Sequence, residues 1–350
     1  MSRFQSVSLL LALSVSSCCW QTAAGEADTN NLNRLTLSGR AAFGLSARFG
    51  AAPASSFSST ARLTPNGDPY NYDNGYVLTD SSGNFGGQTT YWGYDNSSQI
   101  SDNTILMSRS AVVSGSGSES TVADSNPNYG AELLFSRHLG TYKEVRFGIE
   151  AGLSYLNISL KDNSPYQEQV SSVTEAYPFT PGTTPPTTPP AYQGPYSGPG
   201  FLIGSTPSSS TSTSMGSANV SGQRKYDADL FGLRVGPCVE FSLFNLPQLT
   251  MSLGGGFAAG WVNGSASWSE TAALPGGGSL TSSGSGSDSS FLVGGYLGGQ
   301  VSYQFTPNWS AVAGVQYQKL GSIEQTMGGR KVSVDFSQTV LITFGVGYSF

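Results

Sequence analysis

Seven charged residues stand at matching positions in segments where apolar and small residues otherwise alternate. They are Arg40, Arg48, Glu132, Arg146, Glu150, Arg234 and Glu240. Guanidinium and carboxylate groups pair through two parallel hydrogen bonds, and such groups can also move protons or line a polar pore. Four arginines nearly balance three glutamates, which favours a network of structural ion pairs over the alternative of a gated pore or proton path.

Other residues suited to chemistry are few. The chain has one histidine, His138, and residues 66–103 are rich in Asp, Asn, Gly and Tyr. Such a stretch could form a calcium or glycan site, but it lacks the EF-hand spacing, and a turn-rich loop is the favoured interpretation. We expect no cofactor, no metal and no catalytic residue, so the protein is not predicted to be an enzyme.

The elements that must position these charges are β-strands. Apolar side chains recur at every second residue, with Gly, Ser, Thr and Gln between them, as in a strand that has two different faces. The predicted strands are 34–50, 128–139, 143–160, 225–243, 248–270, 287–306, 308–325 and 329–350. Each apolar stretch has about 10 residues or more, enough for a tilted strand to cross a bilayer core.

The connections between these strands alternate in length. The turns LGTYK, NLPQ and TPN are short, whereas 51–127 and 161–224 are long and weakly apolar. Short turns at one end and long loops at the other are typical of outer-membrane barrels. The predicted fold is all-β, a transmembrane antiparallel up-and-down barrel over 34–350 with long extracellular loops. Ten strands, with a further hairpin from GYVLTD and TTYWGY, or a soluble sandwich or lipocalin, are the alternatives.

Composition agrees with a membrane barrel. The 350 residues are 11% charged and carry a net charge of −6, whereas soluble domains have about 25% charged residues. No run of about 20 apolar residues follows the N-terminal segment, so helical membrane spans are not expected. Without a cluster of Lys and Arg, the sequence gives no electrostatic indication of nucleic-acid binding.

The N-terminal residues are typical of an export signal. One arginine precedes the apolar stretch SVSLLLALSVSS, and small residues follow in QTAAGEA. We expect residues 1–24 to be a signal peptide removed after Ala24. Lipoprotein processing at Cys18 is the alternative. After removal only Cys238 remains, which excludes a disulfide framework; we expect it to face the barrel interior and to be inert.

The last eight residues, TFGVGYSF, carry the most specific motif. Thr343, Gly345, Tyr348 and Phe350 stand in the order of the C-terminal sorting signal of bacterial outer-membrane barrels, which this segment resembles. The resemblance implies recognition by the barrel-assembly machinery and a location in the bacterial outer membrane. In architecture the chain resembles the small OmpA/OmpX-like eight-stranded class.

An eight-stranded barrel has an interior that side chains can fill. Parity places all seven charges there, and Glu150 and Arg146 are the expected neighbours of Arg234 and Glu240. The resemblance implies a salt-bridge plug. We therefore expect a structural or surface-interaction protein that contacts outer-membrane lipids and an unknown ligand of its loops. A narrow porin-like channel is the alternative, and a surface enzyme is least favoured because His138 lies at a periplasmic turn.

Overall fold

The computed structural model describes residues 32–58, 70–79, 86–113, 120–123, 127–187, 200–244, 246–275 and 277–350. The predicted signal peptide, residues 1–24, lies outside the described residues, as does part of the stretch 66–103. In the described parts of the chain, no helix is long and apolar enough to cross a membrane.

The described residues are almost entirely strands with two short 3₁₀ helices, Ala54–Ser56 and Ser97–Gln99. The strands are β1 (Asn33–Phe43), β2 (Ser46–Phe49), β3 (Tyr70–Tyr72), β4 (Gly75–Val77), β5 (Gln88–Thr89), β6 (Trp92–Tyr94), β7 (Ile100–Ser101), β8 (Thr104–Val113), β9 (Ser120–Ala123), β10 (Asn128–Tyr142), β11 (Val145–Asp162), β12 (Tyr166–Pro178), β13 (Ile203–Gly204), β14 (Ser209–Leu243), β15 (Leu246–Ala273), β16 (Ser279–Gln304), β17 (Trp309–Lys319), β18 (Ser322–Met327), β19 (Arg330–Asp335) and β20 (Thr339–Ser349).

The long strands form a closed antiparallel barrel. The order of the strands around the ring is β1, β10, β11, β14, β15, β16, β17 and β20. The ring is closed because β20 pairs with β1. The segments GYVLTD and TTYWGY contribute β4 and β6, which pair with each other in a separate small sheet and not in the ring. Short turns and both ends of the described chain share one end of the barrel, here named the turn end.

The strands are strongly tilted. A row of directly opposed residues that starts at Phe291 on β16 returns to the same strand at Val301, ten residues further on. The row passes through Trp261, Phe231, Tyr155, Ala131, Gly39, Phe344 and Ala313. With about 3.3 Å per residue and about 4.8 Å between strands, this displacement corresponds to a tilt of about 40°.

An apolar belt surrounds the barrel. Outward-facing Leu, Val, Ile, Phe, Tyr and Trp side chains are exposed on every strand of the ring. On four neighbouring strands the last aromatic row is Tyr155, Phe231, Trp261 and Phe291. The next outward row, two residues further along each strand, is polar and consists of Asn157, Asp229, Asn263 and Ser289. The belt therefore has a sharp edge on this side.

Beyond the belt the barrel continues as an extension. β14 alone has 35 residues and spans about 115 Å, whereas about 10 tilted residues cross a bilayer core. β12 and β8 lengthen the barrel wall beside β14, and β2, β9, β18 and β19 form a second sheet. Side chains of this second sheet share one apolar core with the inner face of the barrel, including Leu45, Phe49, Val332, Ile158 and Tyr226.

The predicted strands all contain strand in the structure, but their limits differ. The segment predicted as a loop at 161–224 holds β12 and the first part of β14. Its outward face consists of Ser, Thr, Asn and Gln, so it lacks the apolar alternation that predicts a membrane strand. The predicted strand 34–50 is two strands, β1 and β2, interrupted at Gly44 with a φ of +80°.

Candidate functional site: a charged barrel interior

Three of the predicted charges meet at the centre of the barrel. Arg234 on β14 lies opposite Gly152 on β11, and Glu132 lies on the next strand, β10. Because Gly152 has no side chain, Arg234 crosses it; a Cβ there would meet Arg234 and Glu132 atoms at 3.1 Å. Arg234 Nε donates to Glu132 Oε1 at 2.8 Å, and Nη1 donates to Glu150.

Arg40 completes this central cluster. Its Nη1 lies 3.3 Å from Glu132 Oε1, and Nη2 donates to Gln316 Oε1 at 3.0 Å. Tyr296 OH donates to Glu150 Oε1 at 2.8 Å, and its ring lies under the Arg234 guanidinium at 4.7 Å. All four charged residues are buried. Two cations and two anions cancel, so each charge in the central cluster is compensated.

A second group, the turn-end cluster, surrounds Glu240. Arg34 Nη2 donates to Glu240 Oε2, while Arg146 Nη1 and His138 Nε2 lie 3.7 Å and 3.8 Å from Oε1. The structure thus pairs Glu240 with Arg146 and Arg234 with Glu150, as strand parity predicts. Arg34 was missed, although it has the parity of Arg40 on the same strand.

Arg48 is an exception, and its predicted interior position is wrong. It is exposed on β2, beyond the belt, while Ala47 and Phe49 beside it are buried. The break at Gly44 shifts the alternation by one residue, so the even-numbered side chains that face inward on β1 face outward on β2. Arg48 therefore does not belong to the network inside the barrel.

A third group, the extension cluster, was not predicted. Arg224 Nε donates to Asp162 Oδ2 and Nη1 donates to Glu270 Oε1, both at 2.9 Å. Arg330 Nη1 lies 2.9 Å from Glu270 Oε2. These side chains are fully or almost fully buried. Glu270 is the last residue of the predicted strand 248–270 and has inward parity, so alternation could have indicated it. Arg224 lies just before the predicted strand 225–243, so only a longer strand would have included it.

Two titratable groups of β12 face the extension cluster. Burial and the neighbouring Glu270 raise the pKa of Tyr166 to about 12. Burial, and then repulsion by Glu270, raises the pKa of the Glu168 carboxyl above its usual value, against an opposing effect of Arg330. Glu168 Oε1 has no hydrogen-bond partner among the described residues. The burial of this oxygen without a partner agrees with the raised pKa of Glu168.

A small cavity lies beside the central cluster. It has a volume of about 30 Å³, and Glu132, Glu150, Arg234, Thr36 and Gln316 are among its lining residues. Thr36 Oγ1 and Gln316 Nε2 have no hydrogen-bond partner within the described chain. A polar cavity of this size has room for one or a few water molecules. Towards the extension, the apolar core described above fills the interior.

Thr343, Gly345 and Tyr348 of the predicted sorting motif lie on β20, which closes the barrel, and Phe350 is the residue directly after this strand. Thr343 lines the cavity, and Gly345 lies where a Cβ would meet Leu37 O at 2.1 Å. Tyr348 and Phe350 face outward and their rings stack with centroids 6.1 Å apart. Phe350 exchanges two backbone hydrogen bonds with Asn33 on β1.

The fold is thus an antiparallel β-barrel with a charged, packed interior. Solved structures to which the chain is similar include the outer membrane protease OmpT from Escherichia coli, 12% identical with a TM-score of 0.35 over 92% of this chain and 98% of that chain. Ail, the attachment invasion locus protein of Yersinia pestis, is 10% identical with a TM-score of 0.26 over 91% and 99%. OprG from Pseudomonas aeruginosa is 10% identical with a TM-score of 0.27 over 91% and 97%.

No family model and no curated protein matches the chain. The similarities to solved structures are low in both identity and TM-score, so the description of the fold depends on the chain's own strand pairings and exposed faces.

Proposed function

We propose that the protein is a bacterial outer-membrane barrel of eight strands whose interior is closed and whose extension acts at the cell surface. The apolar belt supports a membrane location, because exposed aliphatic and aromatic side chains around a whole barrel need a lipid environment. A closed ring also satisfies the backbone groups within a bilayer. The extension would then stand outside the cell and the turn end in the periplasm.

The observation that carries a structural or surface-interaction role is the compensated central cluster. Arg234 holds two carboxylates from two other strands, and Arg40 and Tyr296 bind the same two carboxylates. Such a cluster blocks the interior, and the apolar core of the extension lies above it. Glu132 and Glu150 are engaged in these ion pairs with Arg234 and Arg40, which favours a structural role for the cluster.

Conductance of the refolded protein in planar bilayers tests this proposal. A closed interior predicts negligible steady conductance. A narrow channel is the second candidate, and the cavity lined by Thr36 and Gln316 favours it because unpaired polar atoms can bind water. Stable, ion-selective conductance of the wild-type protein would support the channel and overturn the closed barrel.

The surface-interaction part has its own test. The extension places long strands and their loops well away from the belt, where they can contact other cells or molecules. Cells that display the whole protein should adhere to a surface or host cell more than cells that display a variant shortened at 180–184, an exposed segment between β12 and β14. Equal adhesion across a broad panel of surfaces would favour a purely structural role.

Export and processing follow from the same proposal. Mass spectrometry of the mature protein should show an N-terminus after Ala24. A lipid-modified N-terminus at Cys18 would instead indicate lipoprotein processing, and it would leave the barrel itself unaffected.

A further inference from the structure

Arg137 is a charged residue on the otherwise apolar outer face of the barrel. It lies on β10 between Phe135 and Leu139, both exposed on the outward apolar face. Among the described outward-facing residues of the belt, the other charged side chain is Lys319, the last residue of β17 at the opposite end. Arg137 is exposed and has no carboxylate partner in the described chain.

The depth of Arg137 limits what it can bind. It pairs with Ile149 on β11, which places it roughly 10 Å along the barrel axis from the β10–β11 turn, given the rise and tilt of the strands. A charged side chain is costly in hydrocarbon but inexpensive near the interface. A long arginine side chain at this depth can extend along the wall to the headgroups.

The surroundings of Arg137 are basic. Lys143 occupies the β10–β11 turn with a φ of +56° and lies 5.6 Å from the ring centre of the exposed Tyr142. On its outer side and tip the hairpin carries Arg137 and Lys143 against Glu144, whereas the turns at 244–245 and 305–308 carry no charge; Arg146 faces inward and lies near Glu240. In a chain with a net charge of −6, this local excess of positive charge stands out.

The strand itself is irregular at this point. The pairing of β10 with β11 shifts between His138 and Gly140. Bulges of this kind redirect neighbouring side chains and increase the local twist. Here the bulge separates Arg137 from the turn by one extra residue, so the hairpin presents an arginine on the lipid side and a lysine at its tip.

We infer that Arg137 and Lys143 form a binding site for the headgroup of an anionic phospholipid in the periplasmic leaflet. Arg137 binds the phosphate with its guanidinium, and Lys143 adds a second positive charge beside Tyr142 at the interface. The inference rests on the proposed membrane location of the barrel. The site would anchor the β10–β11 hairpin at a fixed depth.

Native mass spectrometry of the refolded protein, with phosphatidylglycerol and phosphatidylcholine added in equal amounts, tests the site. The wild type should retain phosphatidylglycerol in preference, and Arg137→Gln should lower that preference about fivefold, the value of one basic residue near an anionic surface. Arg137→Lys should retain most of it. Lys331→Gln, a matched loss of charge in the extension, should leave it unchanged.

An unchanged preference in Arg137→Gln, or no preference in the wild type, would overturn the site. Failure of the membrane proposal gives a different result, because the wild type would then show no heat-modifiable folded form in vesicles of either lipid. Normal folding in both lipids together with an Arg137-dependent preference supports the site.

Discussion

Arg234 and Glu132 are joined across an intervening strand, with Arg234 Nε donating to Glu132 Oε1 at 2.8 Å above Gly152. The contact links β14 to β10, which are not neighbours in the barrel wall. Through Glu150 the same guanidinium also binds β11. Three strands are therefore fastened to each other inside the barrel, in addition to their backbone hydrogen bonds.

Arg234→Ala should lower the stability of the barrel by about 3–5 kcal/mol, because it leaves buried carboxylates without their main partner. Urea unfolding in detergent or lipid measures this as a lower midpoint. Arg146→Ala is the matched control: its side chain is 45% exposed, so the loss should stay below about 1 kcal/mol. Similar losses in the two variants would mean that the central cluster is not a structural plug.

Leu253→Arg should destabilise the barrel by about 2–4 kcal/mol in a bilayer, as expected for an arginine near the midplane. Leu253 faces outward, whereas its neighbour Ser252 is buried and lines the cavity. Ser252→Arg should act by crowding the interior and should respond little to bilayer thickness. Equal responses of both variants in thin and thick bilayers would contradict the assignment of the faces.

Deletion of Phe350 should reduce the amount of folded barrel in the outer membrane. The deletion removes two backbone hydrogen bonds to Asn33 and the aromatic stacking on Tyr348, and it removes the last residue of the proposed assembly signal. Heat-modifiable mobility on gels measures the folded fraction. Phe244→Ala, which removes an aromatic side chain exposed at a turn, should have a smaller effect; wild-type levels after the deletion would argue against the signal.

Glu168→Gln should stabilise the extension at neutral pH and have little effect in acid. The pKa of the Glu168 carboxyl is raised in the folded protein. The contribution of the protonated carboxyl to the free energy of unfolding is therefore complete below the unfolded pKa of about 4.3, and it is lost as the pH rises through the folded pKa. Glutamine imitates the protonated form. Melting curves at several pH values measure the difference, with exposed Glu324→Gln as control; a pH-independent effect would exclude this explanation.

The barrel and the faces of its strands could be predicted because lipid and packed interior impose period two on every strand. The outward direction of Leu253 and the inward direction of Ser252 follow directly from this alternation. The extension could not be predicted in this way, because its outward face meets water and therefore has no apolar alternation. Its strands, such as the first half of β14, are rich in Ser and Thr. The reversal at Arg48 depends on the backbone of Gly44, which alternation alone does not reveal. The contact of Arg234 with Glu132, across the neighbouring strand, depends on the tilt of the strands, which the sequence does not reveal.

The pairing of β1 with β20, from Arg34 opposite Ser349 to Phe43 opposite Val340, also has a kinetic consequence. The two strands are almost the full described chain apart, so this contact forms against a large loop-closure entropy and implies slow folding. Until it forms, both edges would expose unpaired backbone groups that hydrocarbon cannot satisfy. A half-closed sheet is therefore no stable intermediate within lipid, and insertion and closure of the ring must occur together.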